Sequence, residues 1–253
     1  KFIKNFAKQI LFIGIDVRKL VNLIYLPRYV KDRYFWKRSG GKIDRTFIML
    51  NDYSDAAGTT KGHYFHQDLL IAGLIYGDSP SRHIDVGSRI DGFVAHVASF
   101  REIEVVDIRP APEIGHKNIK FQMADLMLET NLGKTDSLSC LHALEHFGLG
   151  RYGDPLDLFG HEKGIHNLLE LLDHDGTLYL SVPIGRSDAV HFNAHRVFHP
   201  ESLLKIPEIM EQTSLLRFDY VDDEGDLHLE KIPSDAVGKV EYGCGIYTFK
   251  KII

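Results

Sequence analysis

Residues 81–107 constrain the fold of this chain more than any other stretch. They run Ser81-Arg82-His83-Ile84-Asp85-Val86-Gly87-Ser88-Arg89-Ile90-Asp91-Gly92, continue through a helix-like segment to Ser99, and close on Val105-Val106-Asp107. Two apolar runs ending in acid thus flank a glycine-bearing turn and a helix, the order of a βαβ unit built around a nucleotide site. Glycine in the turn lets backbone N–H groups come close to a ligand. Asp107, at the end of the second strand, can accept both hydroxyls of a ribose. The segment points to a Rossmann-like nucleotide-binding enzyme.

It departs from the dinucleotide fingerprint. Gly-x-Gly-x-x-Gly needs a middle glycine for close approach of a pyrophosphate, and Gly87-Ser88-Arg89-Ile90-Asp91-Gly92 lacks it. S-adenosylmethionine has no phosphate and tolerates a side chain there. Asp85, ahead of the turn, is suited to orient the charged amino-acid end of such a cofactor.

The remaining chain extends the alternation. Strands are expected near 83–86, 103–107, 118–122, 136–141 and 177–182. Helices are expected near 63–77 (stopped by Gly77), 91–99, 124–131, 160–173 and 200–212, the last opening at Pro200. Gly176 reads as the turn glycine leading into the 177–182 strand. The tail gives a strand at Leu215–Val221, a turn at 222–226 and a strand at Gly245–Lys250. This predicts an α/β three-layer sandwich with a mostly parallel seven-stranded sheet and an antiparallel edge.

A length of 253 residues suits one such domain, taken as 63–253, with a basic extension and lid at 1–62. Residues 1–47 hold twelve basic and three acidic residues, leaving a net −14 on the rest of a chain whose total is −5. The extension is expected as two helical pieces broken near Pro27. Its basic charge and apolar residues fit either an anionic membrane surface or, the favoured reading, the acidic body of the same protein. The acidic body excludes nucleic acid as a partner of the domain. No transmembrane span or signal peptide is expected, and Cys140 and Cys244 read as buried free thiols of a reducing, cytoplasmic setting.

On these motifs the chain from Ser81 to Ile253 resembles the class I S-adenosylmethionine-dependent methyltransferases. Asp85-Val86-Gly87-Ser88 is similar to the first family motif, Asp107 to the ribose acid, and Ala124-Asp125-Leu126 to the acid beside the adenine. Leu144-Glu145-His146 is similar to the motif after the fourth strand, and Leu171 to Leu178 to the turn into the fifth. Arg89 stands where most of the family has glycine, so it either contacts the ligand or blocks the loop. The strings around His63–Asp68, Glu145–Pro155 and Phe192–Arg196 resemble a branch described as an uncharacterised domain of nematode and bacterial proteins. That branch implies a setting in polysaccharide biosynthesis.

The resemblance implies S-adenosylmethionine held by Asp85, Gly87, Ser88, Arg89, Gly92, Asp107, Ile108, Asp125, Leu126 and His142. Methyl transfer needs a positioned nucleophile and often a base. His146 or His195 is the expected base, with Glu145, Arg151 and Tyr152 placing a sugar or glycan-precursor oxygen. Asn193 and Arg196 suit a polar substrate. His191 and His195, four apart, would share one helical face, but no third metal ligand is spaced to join them, so no metal is expected. Two rivals are a non-catalytic scaffold on the same fold and a different Rossmann-like nucleotide-cofactor enzyme. His63 and His66 fall where such enzymes fold a lid over the cofactor.

Overall fold

A computed structural model describes residues 21–111 and 113–253. The expected placement of residues 1–20, with Phe2 to Leu20 of the basic segment, lies outside them. The chain forms two compact units divided after Thr59. In the first, a 3-10 turn at Asn22–Tyr25 leads into α1 (Leu26–Arg38), with Pro27 in its first turn. Proline there starts the helix instead of breaking it, because its missing N–H is unneeded at that position. No residue of α1 is buried.

The second unit carries the sheet. Its strands are β1 (His83–Val86), β2 (Ile103–Asp107), β3 (Ile119–Met123), β4 (Thr135–Leu141), β5 (Leu172–Ile184), β6 (Ala189–His191), β7 (His195–Val197), β8 (Thr213–Val221), β9 (Leu227–Lys231) and β10 (Gly243–Lys251). Eight of them form one sheet in the order β3-β2-β1-β4-β5-β10-β8-β9, while β6 and β7 pair separately. The first five are parallel; β10 runs antiparallel to both β5 and β8, and β9 antiparallel to β8. The expected α/β sandwich is therefore present, with one strand more than seven because Leu227–Lys231 completes a hairpin at the edge.

Both faces are covered. α2 (His63–Asp78) buries Ile71, Ala72 and Ile75 against one face beside α3 (Ala95–Ala98). On the other face, α4 (Gly160–Leu171) buries Ile165, Leu168 and Leu169. Strand β1 is buried along its whole length, as a central parallel strand must be. The chain runs outward from β1 to β3, then returns to place β4 on the other side of β1. That reversal opens a crevice at the carboxyl ends of β1 and β4, where ligands of such sheets sit.

A polar chain runs through this central pair. His83 and Ser137 are in register, as are Asp85 and Ser139. Ser137 Oγ lies 2.8 Å from His83 Nδ1, and His83 Nε2 lies 3.1 Å from Ser139 Oγ. Ser139 Oγ donates in turn to Asp85 Oδ1 at 2.6 Å. Burial drives the His83 pKa down to about 3, so the ring is neutral and can accept at one nitrogen and donate at the other.

Several expected elements differ. Residues 124–131 form no helix; the Asp125 carboxylate takes the N–H of Met127 at 2.8 Å and holds a turn. Helix α2 runs past Gly77 and is capped by Ser79 in the left-handed region, φ 46. Strand β5 starts at Leu172, and Asp175, not Gly176, takes the positive φ. Pro200 opens no helix: a 3-10 turn at Leu203–Lys205 precedes α5 (Pro207–Gln212), which starts on its own proline. A last turn, α6 (Pro233–Ala236), links β9 to β10.

The Ser139→Ala variant leaves His83 Nε2–H and one Asp85 lone pair unpaired in a dry interior. It is expected to lose about 1–3 kcal/mol of stability in urea unfolding; a loss below about 0.5 kcal/mol would show that Ser139 does not hold the pair together.

Candidate active site

The turn after β1 is built by close approach. Gly87 has φ +79, and a Cβ there would sit 2.6 Å from Ala143 Cβ beyond β4. Its N–H donates to Val106 O at 2.9 Å. Asp85 lies beneath, fully buried, and accepts from Ser88 Oγ (2.8 Å) and Ser88 N (3.2 Å) besides Ser139. It shapes the turn from below, with no face open to a ligand. Burial pushes its carboxyl up to about 7 even though these donors pull the other way.

Arg89 leaves the turn free. Its guanidinium pairs with Asp91 at 2.7 Å, and its side chain is 73% exposed. Gly92 marks a kink (φ −118, ψ −117) between the turn and α3, and a Cβ there would meet Asp68 Oδ2 at 3.4 Å. Asp68 is itself buried and takes Gln67 Nε2 at 2.9 Å; burial raises its pKa.

Beyond the turn lies a cleft walled by Gly87, Asp107, Ile108, Asp125, Leu126 and His142. Six of the ten expected cofactor residues thus meet in one place, while Asp85, Ser88, Arg89 and Gly92 stay outside the wall. The Asp107 carboxylate, 10% exposed, is gripped by Arg109 through Nε at 2.9 Å and Nη2 at 2.5 Å, with the Arg109 N–H at 2.8 Å. The Arg109 guanidinium also lies 4.5 Å from the Tyr152 ring. The cleft is partly open to solvent, and its free volume, that open part included, is about 520 Å³.

On the far side of the cleft, His146 and Glu145 follow β4 in a 3-10 turn at Leu144–His146. His146 Nδ1 is 2.7 Å from Ala194 O, which fixes the proton on Nδ1 and leaves Nε2 as the acceptor. Arg151 donates to the same carbonyl at 2.7 Å, and Tyr152 packs edge-on to His146 at 5.4 Å. Burial lowers the pKa of His146, and burial with the neighbouring His191 lowers that of His195. Both rings are neutral near pH 7 and able to take a proton.

His191 and His195 do not share a helix. They face each other across the β6–β7 hairpin, Nδ1 to Nε2 at 3.3 Å, because a turn at 192–194 reverses the chain. Arg196, only 6% exposed, donates to Phe147 O at 2.6 Å and holds the 145–158 loop. Burial lowers its pKa against the pull of Asp154, Asp157 and Glu162.

Sequence reasoning missed Arg109 and Tyr242. Arg109 sits two residues past the acid it grips, a spacing with no signature of its own. Tyr242 stacks on His63 (5.6 Å) and tilts on His195 (5.4 Å), and burial pushes its pKa up to about 12. Only tertiary structure brings residues 63, 195 and 242 together.

Residues 120–227 match the family described as "Caenorhabditis protein of unknown function, DUF268", in keeping with the nematode branch that the motifs resemble. No curated protein matches the chain at significance. Among solved structures it is similar to the N-methyltransferase NodS from Bradyrhizobium japonicum WM9 in complex with S-adenosyl-L-homocysteine. That match has TM-score 0.52 and 14% identity, over 80% of this chain and 91% of the other. The O-methyltransferase of the Brevibacillus brevis trans-AT PKS multienzyme gives TM-score 0.53 and 11% identity, over 73% and 72%. The [4+2]-cyclase SpnF gives TM-score 0.53 and 16% identity, over 94% and 96%. The chain thus has the Rossmann-like fold of class I methyltransferases. At these identities the likeness is one of fold.

Asp85 supplies a pH test. Its carboxyl ionises at 3.8 in an open chain and at about 7 when buried, so the folded state favours the protonated form. That stabilisation is complete below about pH 4 and lost as pH rises through 7. The Asp85→Asn variant should therefore gain on the parent between pH 4 and 7, with a slope approaching about 1.4 kcal/mol per pH unit. A difference that does not change with pH would mean Asp85 ionises normally.

Proposed function

We propose that the chain is an S-adenosylmethionine-dependent methyltransferase acting on an oxygen of a sugar or glycan precursor. The observation that carries the reading is the cleft itself. A glycine turn, an acid at the end of β2, the apolar walls Ile108 and Leu126, and Asp125 stand together at the switch point of the sheet. These residues fit the cofactor: Gly87 alone allows the tight turn packed on Ala143, Asp107 matches ribose hydroxyls, and Asp125 matches an adenine amino group. When bound, S-adenosylmethionine supplies an electrophilic methyl group on a sulfonium. The chain's own residues then share the work.

Arg109 holds Asp107 until a ribose replaces it, and swings away with the cleft opening at Tyr152. Asp85 keeps the turn in shape. His146 takes the acceptor proton at Nε2, with Nδ1–H anchored on Ala194 O; His195 is the second candidate, 6.4 Å away ring to ring. Tyr152 offers its face to a sugar, and Arg151 a cation to a phosphate or carboxylate on it. Glu145 acts behind these groups, held by His142 Nδ1 at 2.9 Å. The acidic body and the absence of a helix long and apolar enough to cross a membrane among the described residues are compatible with a small acceptor.

Titration with S-adenosylhomocysteine, with NAD as control, tests the reading. Asp107→Ala should weaken binding by about 1–3 kcal/mol. Arg109→Ala should strengthen it by about 0.5–1 kcal/mol, since a half-exposed ion pair no longer competes. No binding of either cofactor by the parent would sink the proposal. With nucleotide sugars as acceptors, His146→Ala should cut turnover about 10²- to 10⁴-fold while leaving cofactor affinity intact. Full turnover in that variant would pass the base role to His195.

A further inference from the structure

His63, His142 and Cys244 come from three distant elements: the first residue of α2, the residue after β4, and the second residue of β10. One ligand atom of each lies within 4.8 Å of the other two. The His142 side chain is 5% exposed, and its Nδ1 lies 2.9 Å from Glu145 Oε1. That contact places a proton on Nδ1, and the other ring nitrogen, Nε2, is buried without a hydrogen-bond partner among the described residues. A buried ring nitrogen so placed needs an explanation. Cys244 is fully buried beside it, its thiol interacting with the His142 ring and its Sγ lying 3.9 Å from Gln67 Oε1 and 3.8 Å from Gly245 O. The His63 ring lies parallel to that of His142, centroids 5.4 Å apart.

We propose that His63, His142 and Cys244 bind a borderline-soft divalent metal of the zinc class. Two imidazoles and one thiolate are the ligands such an ion selects, and three protein ligands leave a fourth position open, as in catalytic zinc sites. Glu145 stands where metal-bound histidines keep a carboxylate, on the far ring nitrogen. A tetrahedral ion would space its ligand atoms by about 3.3–3.7 Å, so the three side chains must draw together by about 1 Å, and one of the two parallel imidazoles must turn for both to meet the ion. Binding takes the thiol proton of Cys244 to solvent as the S–metal bond forms.

The site borders the cleft. His142 lines it, and His63 stacks on Tyr242, which packs against His195. The open position would hold the acceptor heteroatom and favour its deprotonated form; this role rests on the methyltransferase reading, whereas the metal site does not.

The test uses the full chain, purified without a histidine tag, loaded with Zn²⁺ and dialysed. It should retain a single ion, and its Co²⁺ form should show a thiolate-to-cobalt charge-transfer band. Cys244→Ser should remove the band. His63→Ala, at a half-buried helix start, should weaken metal affinity at least about 10-fold with an unchanged far-ultraviolet spectrum. A parent that keeps no ion, or a band that survives Cys244→Ser, overturns the site. No cofactor is present in this experiment, so its failure leaves the methyltransferase reading standing, and failure of the cofactor titration leaves the metal site standing.

Discussion

The buried pairing of β1 with β4 is the constraint on which the rest of the molecule depends. Four polar side chains, Ser137, His83, Ser139 and Asp85, link in sequence between two strands that also bury Ile84, Val86, Leu138, Cys140 and Leu141. Unpaired, each would be costly in so dry a place; linked, they hold one register and no other, since a slip by one residue would turn them all to the opposite face. Asp85 then hands the order on to Ser88 and so to the turn at Gly87. The glycine is packed against Ala143 beyond β4, so the two strand ends that form the crevice are fixed against each other.

The two sides of the crevice are tied together by its own residues. Arg109 satisfies Asp107 and leans on Tyr152, which joins the nucleotide side of the cleft to the loop after His146. Arg196 holds that loop from inside through backbone carbonyls. Opening one contact therefore bears on both halves of the site. The fold alone does not name the reaction, because similar folds belong to an N-methyltransferase, an O-methyltransferase and a [4+2]-cyclase. The functional reading rests on Gly87, Asp107, Asp125 and His146 in their places.

Local signals carried far along this chain and then stopped. Strands β1 and β2 were legible to the residue, because short apolar runs ending in Asp85 and Asp107 leave no other period. The region 124–131 was read as helix because Leu126, Met127 and Leu128 suggest one, yet the Asp125 side chain captures a backbone N–H and makes a turn. His191 and His195 suited a helical face by spacing, but hairpin pairing puts them opposite each other. The cleft wall could be named from motifs at Gly87, Asp107, Asp125 and His142. The grip of Arg109 and the meeting of His63 with His142 and Cys244 could not, because they depend on side-chain directions and on elements up to 181 residues apart.

A crystal structure of the chain with S-adenosylhomocysteine tests the central claim most directly. The account predicts ribose hydroxyls on the Asp107 carboxylate, adenine between Ile108 and Leu126, and the Arg109 guanidinium swung away from Asp107. A ligand bound elsewhere, or one in the cleft while Arg109 still grips Asp107, would contradict it.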